Sequence, residues 1–253
     1  AWTYYAWKET LFFISDRDAC KRCYFLYEMD AMGKNVRKIS DLQLEDSWMG
    51  SRKNGAEIVV SGRIGKDVRY QLFIIDTKTG KYSQLTNETG AAFRDPIFSP
   101  DGKQIVYAYK KDRANREINE ELFIMNTDGT NRRQLTTYPK ADKTAEWHNY
   151  HAGPPRWVKK HNFITYNSVQ NGKSSLYAVT PDGKKNWKLT DNALAEGWHD
   201  WSPDGKWLAI GMNDKDEKEY SIWLMNWKTK ELKKLTDGNV FKYQHAPVFV
   251  EVK

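Results

Sequence analysis

Hydrophobic positions along the chain fall into short runs arranged in repeating sets. One series comprises Leu11 to Ile14, Ile58 to Val60, Ile105 to Tyr107, Phe163 to Tyr166 and Leu208 to Ile210. A second follows each of these: Tyr24 to Met29, Leu72 to Ile75, Leu122 to Met125, Leu176 to Val179 and Ile222 to Met225. Polar turn signals then reverse the chain at Asp30 to Gly33, Asp76 to Gly80, Asn126 to Gly129 and Pro181-Asp182-Gly183, and at Asn226 to Lys230, where glycine is missing. Each set closes on a hydrophobic-hydroxyl pair: Ile39-Ser40, Leu85-Thr86, Leu135-Thr136, Leu189-Thr190 and Leu235-Thr236. Runs this short, rich in aliphatic and aromatic residues and bounded by turn residues, predict strands throughout.

The closing pairs recur 46, 50, 54 and 46 residues apart. That is close to the length of one four-stranded propeller blade, so the chain reads as an array of blades. The remaining strand of each unit comes first and carries the most specific motif. It stands as Asp95-Pro-Ile-Phe-Ser-Pro-Asp-Gly102 and as Trp198-His-Asp-Trp-Ser-Pro-Asp-Gly205. Ser-Pro-Asp-Gly suits a tight turn: proline fixes φ, the aspartate bonds nearby backbone, and glycine accepts a positive φ.

With these residues in place, the chain resembles the TolB-like β-propellers, of the WD-type repeat class. Their blades read Pro-x-Phe/Trp-Ser-Pro-Asp-Gly-Lys, a strand, Leu-Phe/Tyr-x-Met-Asn/Asp-x-Asp-Gly, then Leu-Thr. The central blade matches best, with Phe98 to Lys103, Leu122 to Gly129 and Gln134-Leu-Thr136. The turn is degenerate in blade two, Ser51-Arg-Lys-Asn-Gly55, and in blade four, Val158-Lys-Lys-His161. The resemblance implies an all-β fold of four-stranded blades in one domain over residues 1–253. Five blades are expected and six is the alternative. Tyr4 to Trp7 and Ala246 to Val250 both compete to supply the first strand of blade one, and a ring closed by the C-terminal segment uses the whole chain.

Composition agrees: 253 residues with 11 Trp, 14 Tyr and 10 Phe supply ample cores between blades, and no apolar stretch reaches the length of a membrane span. The first residues, Ala-Trp-Thr-Tyr-Tyr, contain neither an initiator Met nor a basic leader segment. The net charge of +7 invites a nucleic-acid reading, but the basic pairs Lys110-Lys111, Arg132-Arg133, Lys184-Lys185 and Lys233-Lys234 are dispersed in or beside turns. Solvated faces are expected, with no nucleic-acid partner. Both cysteines form one motif, Cys20-Lys-Arg-Cys23, for which zinc ligation, redox exchange and a local disulfide are open. Zinc needs further ligands and no second Cys pair exists, so a loop disulfide in an oxidising compartment is the reading, with free thiols as the alternative.

Histidines are the candidate chemistry. His148, His151, His199 and His245 fall in or before first strands of successive blades. First strands of a propeller line its central channel, so imidazoles from different blades have a route to one metal ion, and the ligand type alone suits several metals. This arrangement is also similar, more weakly, to the oligogalacturonate lyase propellers, whose site holds divalent manganese through His residues and a Gln. The resemblance implies His199 and Gln244-His245 as matching ligands and a divalent metal as cofactor. Polar lining groups bonded to water or backbone are the competing reading for the same histidines.

No Gly-x-Ser-x-Gly elbow, phosphate loop or His-Glu-x-x-His pair is present. Two function classes remain. One is a non-catalytic module holding a protein or carbohydrate partner at the channel mouth, as the TolB resemblance implies, in the periplasm or outside the cell. The other is a metal-dependent lyase or hydrolase of an acidic saccharide, with Arg94 or Arg156 pairing a carboxylate. Trp147, Trp198 and Asp200 complete the ligand-binding candidates. The longest connection, Thr137 to Pro155, is rich in aromatic and His residues and is the expected place for a ligand.

Overall fold

The computed structural model describes residues 5–7, 10–65, 69–213, 220–236 and 247–249, and among them every regular element is a β-strand. The fold class is an all-β propeller of five antiparallel blades, each with strands in sequence order. Blade one holds β1 (Tyr5–Trp7), β2 (Thr10–Ser15), β3 (Phe25–Asp30) and β4 (Arg37–Lys38). Blade two splits its first strand into β5 (Gln43–Leu44) and β6 (Gly50–Arg52), both paired with β7 (Glu57–Arg63), and continues through β8 (Gln71–Asp76) and β9 (Tyr82–Gln84). Blade three comprises β10 (Ala92–Phe98), β11 (Gln104–Lys110), β12 (Glu121–Asn126) and β13 (Arg133–Gln134). Blade four comprises β14 (Arg156–Val158), β15 (Phe163–Gln170), β16 (Lys173–Val179) and β17 (Asn186–Lys188). Blade five comprises β18 (Ala195–Trp201), β19 (Trp207–Asn213), β20 (Tyr220–Asn226) and β21 (Leu232–Lys234).

The first strand of blade one is the N-terminal candidate: Tyr5 pairs Phe12 and Trp7 pairs Thr10. Only two residues separate β1 from β2, so closing that hairpin costs far less chain entropy than recruiting a segment from the other end. Of the competing segment, Ala246 to Val250, residues 247–249 are described and belong to no strand. Among the described residues no helix is long and apolar enough to cross a membrane. Cys20 and Cys23 are joined as a disulfide across the β2–β3 loop, with Cα atoms 5.2 Å apart.

The chain forms two compact units, Ala1–Arg133 and Gln134–Lys253. In the first unit β7 is buried on both faces. Ile58 and Val60 join Leu26, Leu44, Met49 and Phe73 on one side, and Val59 joins Leu72, Phe93, Ile105 and Tyr107 on the other. Successive residues of a strand point to opposite faces, which is why the run reads as continuously apolar. In the second unit Val158, Phe163, Leu176, Trp201, Leu208 and Met225 make the corresponding core.

The closing pairs have a specific backbone role. Leu85 N–H donates to the Leu72 carbonyl at 2.8 Å, and Leu72 N–H donates to Thr86 Oγ1 at 2.9 Å. Blade five repeats this with Leu235 on the Ile222 carbonyl and Thr236 Oγ1 accepting from Ile222 N–H, both at 2.8 Å. The pair therefore satisfies both backbone groups of one residue on the third strand. In blade four Leu189 takes the Leu176 carbonyl, but Leu176 N–H donates to Glu196 Oε2, which also accepts from Thr190 Oγ1.

Both Ser-Pro-Asp-Gly turns share one wiring. Ser99 Oγ donates to Asp101 Oδ1 and accepts from Gln104 N–H, as Ser202 does with Asp204 and Trp207. The degenerate turns of the preceding blades are fitted to them. Arg52 donates to the Gly102 carbonyl while its guanidinium lies over the Phe98 ring, and His161 Nε2 sits 2.9 Å from the Gly205 carbonyl while its ring stacks on Phe163.

The threonine clamp is testable at Thr86. Thr86→Val keeps the side-chain shape but strands the Leu72 N–H, whose residue is fully buried, so a loss of about 1–3 kcal/mol is expected in urea denaturation. Thr86→Ser, which retains the acceptor, is expected to lose much less; equal losses for both variants would assign the effect to the methyl group instead.

Candidate functional site

A cavity of about 510 Å³ opens in the second unit, between residues of blades four and five. Three segments build it. His148, Asn149 and Tyr150 come from the long connection; Asn167, Val169 and Ser174 come from the β15–β16 hairpin; and Ala195 to Trp198, Gly211, Asn213 and Tyr220 come from blade five. Its volume falls in the range of small-ligand pockets.

The connection is pinned along blade four. Tyr138 Oη donates to the Val169 carbonyl at 2.6 Å, and Val169 N–H donates to the Tyr150 carbonyl at 2.8 Å. Asp142 and Thr144 accept from Asn171 and Gly172 N–H at 2.7 Å each, and Ser168 Oγ donates to the His151 carbonyl at 2.7 Å. A tight turn with Asn149 N–H on the Glu146 carbonyl and Glu146 N–H on Asn149 Oδ1 then presents His148 to Tyr150.

The blade-five wall owes its shape to a β-bulge. Glu196 pairs Met212 and His199 pairs Ile210, so Gly197 and Trp198 together face the single residue Gly211. Such an insertion re-aims side chains. Trp198 thereby lines the cavity, its Nε1 donating to Tyr150 Oη at 3.2 Å, while His199 turns into the core. An equivalent bulge lies in β10 between Arg94 and Ile97, where Asp95 adopts φ +52° and accepts from Trp48 N–H at 2.9 Å.

The candidates from the sequence are distributed as follows. His148 is exposed, 3.5 Å from Glu146 and edge-on to the exposed Trp147 ring, and it shares the cavity with Trp198. His151 is buried against Tyr138, ring centroids 4.7 Å apart. His199 is fully buried, its Nε2 2.7 Å from Thr165 Oγ1 and its Nδ1 beside the Gly197 backbone without a well-formed hydrogen bond. Desolvation, reinforced by the Arg156 charge, pushes its pKa down to about 3, so the ring is neutral. Gln244 and His245 lie outside the described residues. Among the described residues no group of three or more His, Cys, Asp or Glu side chains is gathered to hold a metal.

The two arginines meet carboxylates of the chain itself. Arg156 is buried, 3.7 Å from Asp200, whose Oδ2 also accepts from Phe249 N–H at 2.8 Å. Arg94 belongs to the first unit, with Nε 3.5 Å from Glu45 and Nη1 3.9 Å from Glu120. Arg113 reaches the same Glu45 oxygen at 3.5 Å. Sequence reasoning missed this cluster because Glu45, Arg94 and Glu120 stand far apart in the chain and only the fold brings them together. Burial drives both carboxyls upward against the pull of Arg94, and Glu120 reaches about 7, with Asp95 and Glu45 pushing the same way. Tyr150, Glu196, Asn213 and Tyr220 were also missed at the cavity. Only Tyr150 carried a signal, standing inside the aromatic and histidine-rich Trp147–His151 segment.

No family model matches the chain. It is 29% identical over 136 residues to dipeptidyl-peptidase 5 of Porphyromonas endodontalis, covering 52% of this chain and 18% of that protein. It is 28% identical over 82 residues to the Tol-Pal system protein TolB of Francisella tularensis, covering 32% and 19%. The matched stretches thus span about a fifth of the length of these curated relatives. Among solved structures, TolB from Acinetobacter baumannii aligns with a TM-score of 0.66 at 17% identity, over 85% of this chain and 49% of that one. Oligogalacturonate lyase in complex with manganese aligns at 0.62 with 16% identity, over 89% and 61%. The resemblance to both propeller groups read from the repeats therefore holds, and at these identities it shows the fold alone.

Glu120 generates a pH prediction. Its folded pKa of about 7 lies above the 4.5 of a free glutamate, so the folded protein keeps a proton that the unfolded chain releases. The stabilisation from this group is full below the free value and is lost as pH rises through the folded one. Glu120→Gln, which cannot ionise, is expected to gain stability relative to the parent between about pH 5 and about pH 8, read from urea midpoints. A difference that does not change with pH would mean the carboxyl stays ionised.

Proposed function

We propose that the chain is a non-catalytic binding propeller whose partner, a protein or a saccharide, engages the cavity of blades four and five. The observation that carries this reading is the cavity itself, an aromatic and amide-lined space on a pinned framework. Preorganised walls reduce the ordering cost of binding. The likeness to TolB proteins supports a binding role by analogy of fold. An extracytoplasmic location goes with the reading, because the Cys20–Cys23 disulfide is at home in an oxidising compartment.

Several side chains that enzymes would use for chemistry are already engaged internally. His199 meets Thr165, Arg156 meets Asp200, and the Glu196 carboxylate accepts from Leu176 N–H, Thr190 and Asn192. A buried, hydrogen-bonded polar group of this kind rigidifies its surroundings.

Panning the protein against a random peptide library and against a glycan array tests the proposal. Binders that lose affinity on His148→Ala are expected in one of the two, and oligogalacturonate with added manganese is expected to remain uncleaved. Stoichiometric bound metal that disappears on substituting His199 and His245, accompanied by turnover of the uronate, would overturn the binding reading in favour of a lyase.

A further inference from the structure

The cavity has a chemical character finer than the presence of a partner. Trp198 and Tyr150 form an aromatic corner, joined by the indole N–H to phenol hydrogen bond of 3.2 Å. Both are partly exposed, and both are held from behind: Trp198 by the two-for-one bulge against Gly211, Tyr150 by the Val169 N–H on its carbonyl. Around this corner stand Tyr220, Asn213 and Asn149, side chains that bring hydroxyl or amide groups with both donor and acceptor capacity. The one carboxylate among the described lining residues, Glu196, is turned into the protein, where Leu176 N–H, Thr190 and Asn192 all donate to it.

We propose that this cavity binds a neutral saccharide, with one pyranose ring stacked on the Trp198–Tyr150 corner and its hydroxyls paired to the surrounding amides and phenols. The proposal rests on the binding reading above and names the ligand class. Sugar rings present C–H faces that carry slight positive charge, and the negative face of an indole or phenol complements them. Their hydroxyls each donate and accept, as do amide and phenol groups, so no charge is needed for recognition. A uronate demands more. Its carboxylate would have to leave water for a cation, and among the described lining residues there is no Lys or Arg. Arg156 is on Asp200, and Arg94 belongs to the other unit, beside Glu45 and Glu120. A peptide is the rival occupant. Extended peptides are commonly held through backbone hydrogen bonds along an open strand edge, whereas the groups offered here are side-chain amides and phenols around an aromatic corner.

Titration calorimetry of the whole chain with cellotetraose, chitotetraose and tetragalacturonate tests the assignment. At least one neutral tetrasaccharide is expected to bind, with tetragalacturonate weaker by about tenfold or more. Trp198→Ala is expected to weaken neutral-sugar binding by at least about tenfold, and His148→Ala, an exposed substitution that leaves the fold undisturbed, by about two- to fivefold. Should Trp198→Ala not fold, Tyr150→Ala and His148→Ala carry the same reading. The proposal is overturned by no binding of either neutral sugar, by uronate binding as tight as the neutral sugars, or by affinities unchanged in the folded variants. A peptide that binds in a His148-dependent way while no saccharide binds also overturns the ligand class, yet leaves the binding role standing.

Discussion

Each blade depends on how its third strand is closed by the fourth. The fourth strands are only two or three residues long, far too short to hold a sheet edge by pairing alone. In blades two and five what fixes them is a pair of hydrogen bonds to a single third-strand residue: Leu85 and Thr86 on the buried Leu72, Leu235 and Thr236 on the half-buried Ile222. Leaving either backbone group of Leu72 unpaired in the core would cost on the order of 1–3 kcal/mol, a large fraction of marginal domain stability. The Thr86 and Thr236 hydroxyls are thus backbone acceptors placed where a side chain must supply what a longer strand would have supplied.

The same clamp carries the blades' contact with one another. Gly129, at φ +85°, sits so near the Leu85 carbonyl of the preceding blade that an added Cβ would fall 2.8 Å from that oxygen. The turn glycine is there for close approach as much as for its positive φ. Complementarity also explains the irregular turns. Arg52 and His161 occupy the places where blades two and four depart from Ser-Pro-Asp-Gly, and each meets the glycine carbonyl of the turn that follows, Gly102 or Gly205. A second Ser-Pro-Asp-Gly turn at either position would offer no such donor.

In the second unit blade four varies the clamp, and the variation shapes the cavity. Glu196 takes over the Leu176 N–H and gathers Thr190 and Asn192, which anchors the start of β18 just before its bulge. The carboxylate is thereby removed from the cavity its residue lines, leaving the aromatic corner of Trp198 and Tyr150 as the dominant surface. The first unit contains the opposite arrangement, a cluster in which Glu45, Asp95 and Glu120 are set against Arg94, Arg113 and Lys110. Burial keeps the Glu45 and Glu120 carboxyls easy to protonate, so charge there responds to pH while the cavity of the second unit is built from largely neutral groups.

Much of the architecture was legible in the residues themselves. Strand runs, turns and closing pairs are encoded by contiguous residues whose hydrogen bonds are mostly local, such as Ser99 to Asp101 and Gln104, so a repeat at blade length was enough to place the second and third strands of every blade. The candidate site was legible only in its address. The Trp147–His151 segment does contribute to the cavity, and Trp198 does line it, but His199, one residue further, does not. That difference is one of direction: successive residues of the strand face opposite sides, and the bulge opposite Gly211 decides which of them takes the cavity side. The carboxyl cluster of Glu45 and Glu120 was equally hidden, because burial and charge pairing arise from residues some 75 positions apart. The sequence by itself determined the blades, since those rest on local hydrogen bonding and period. Tertiary structure alone decided which side chains face a cavity and which ionise, since both depend on neighbours brought from distant parts of the chain.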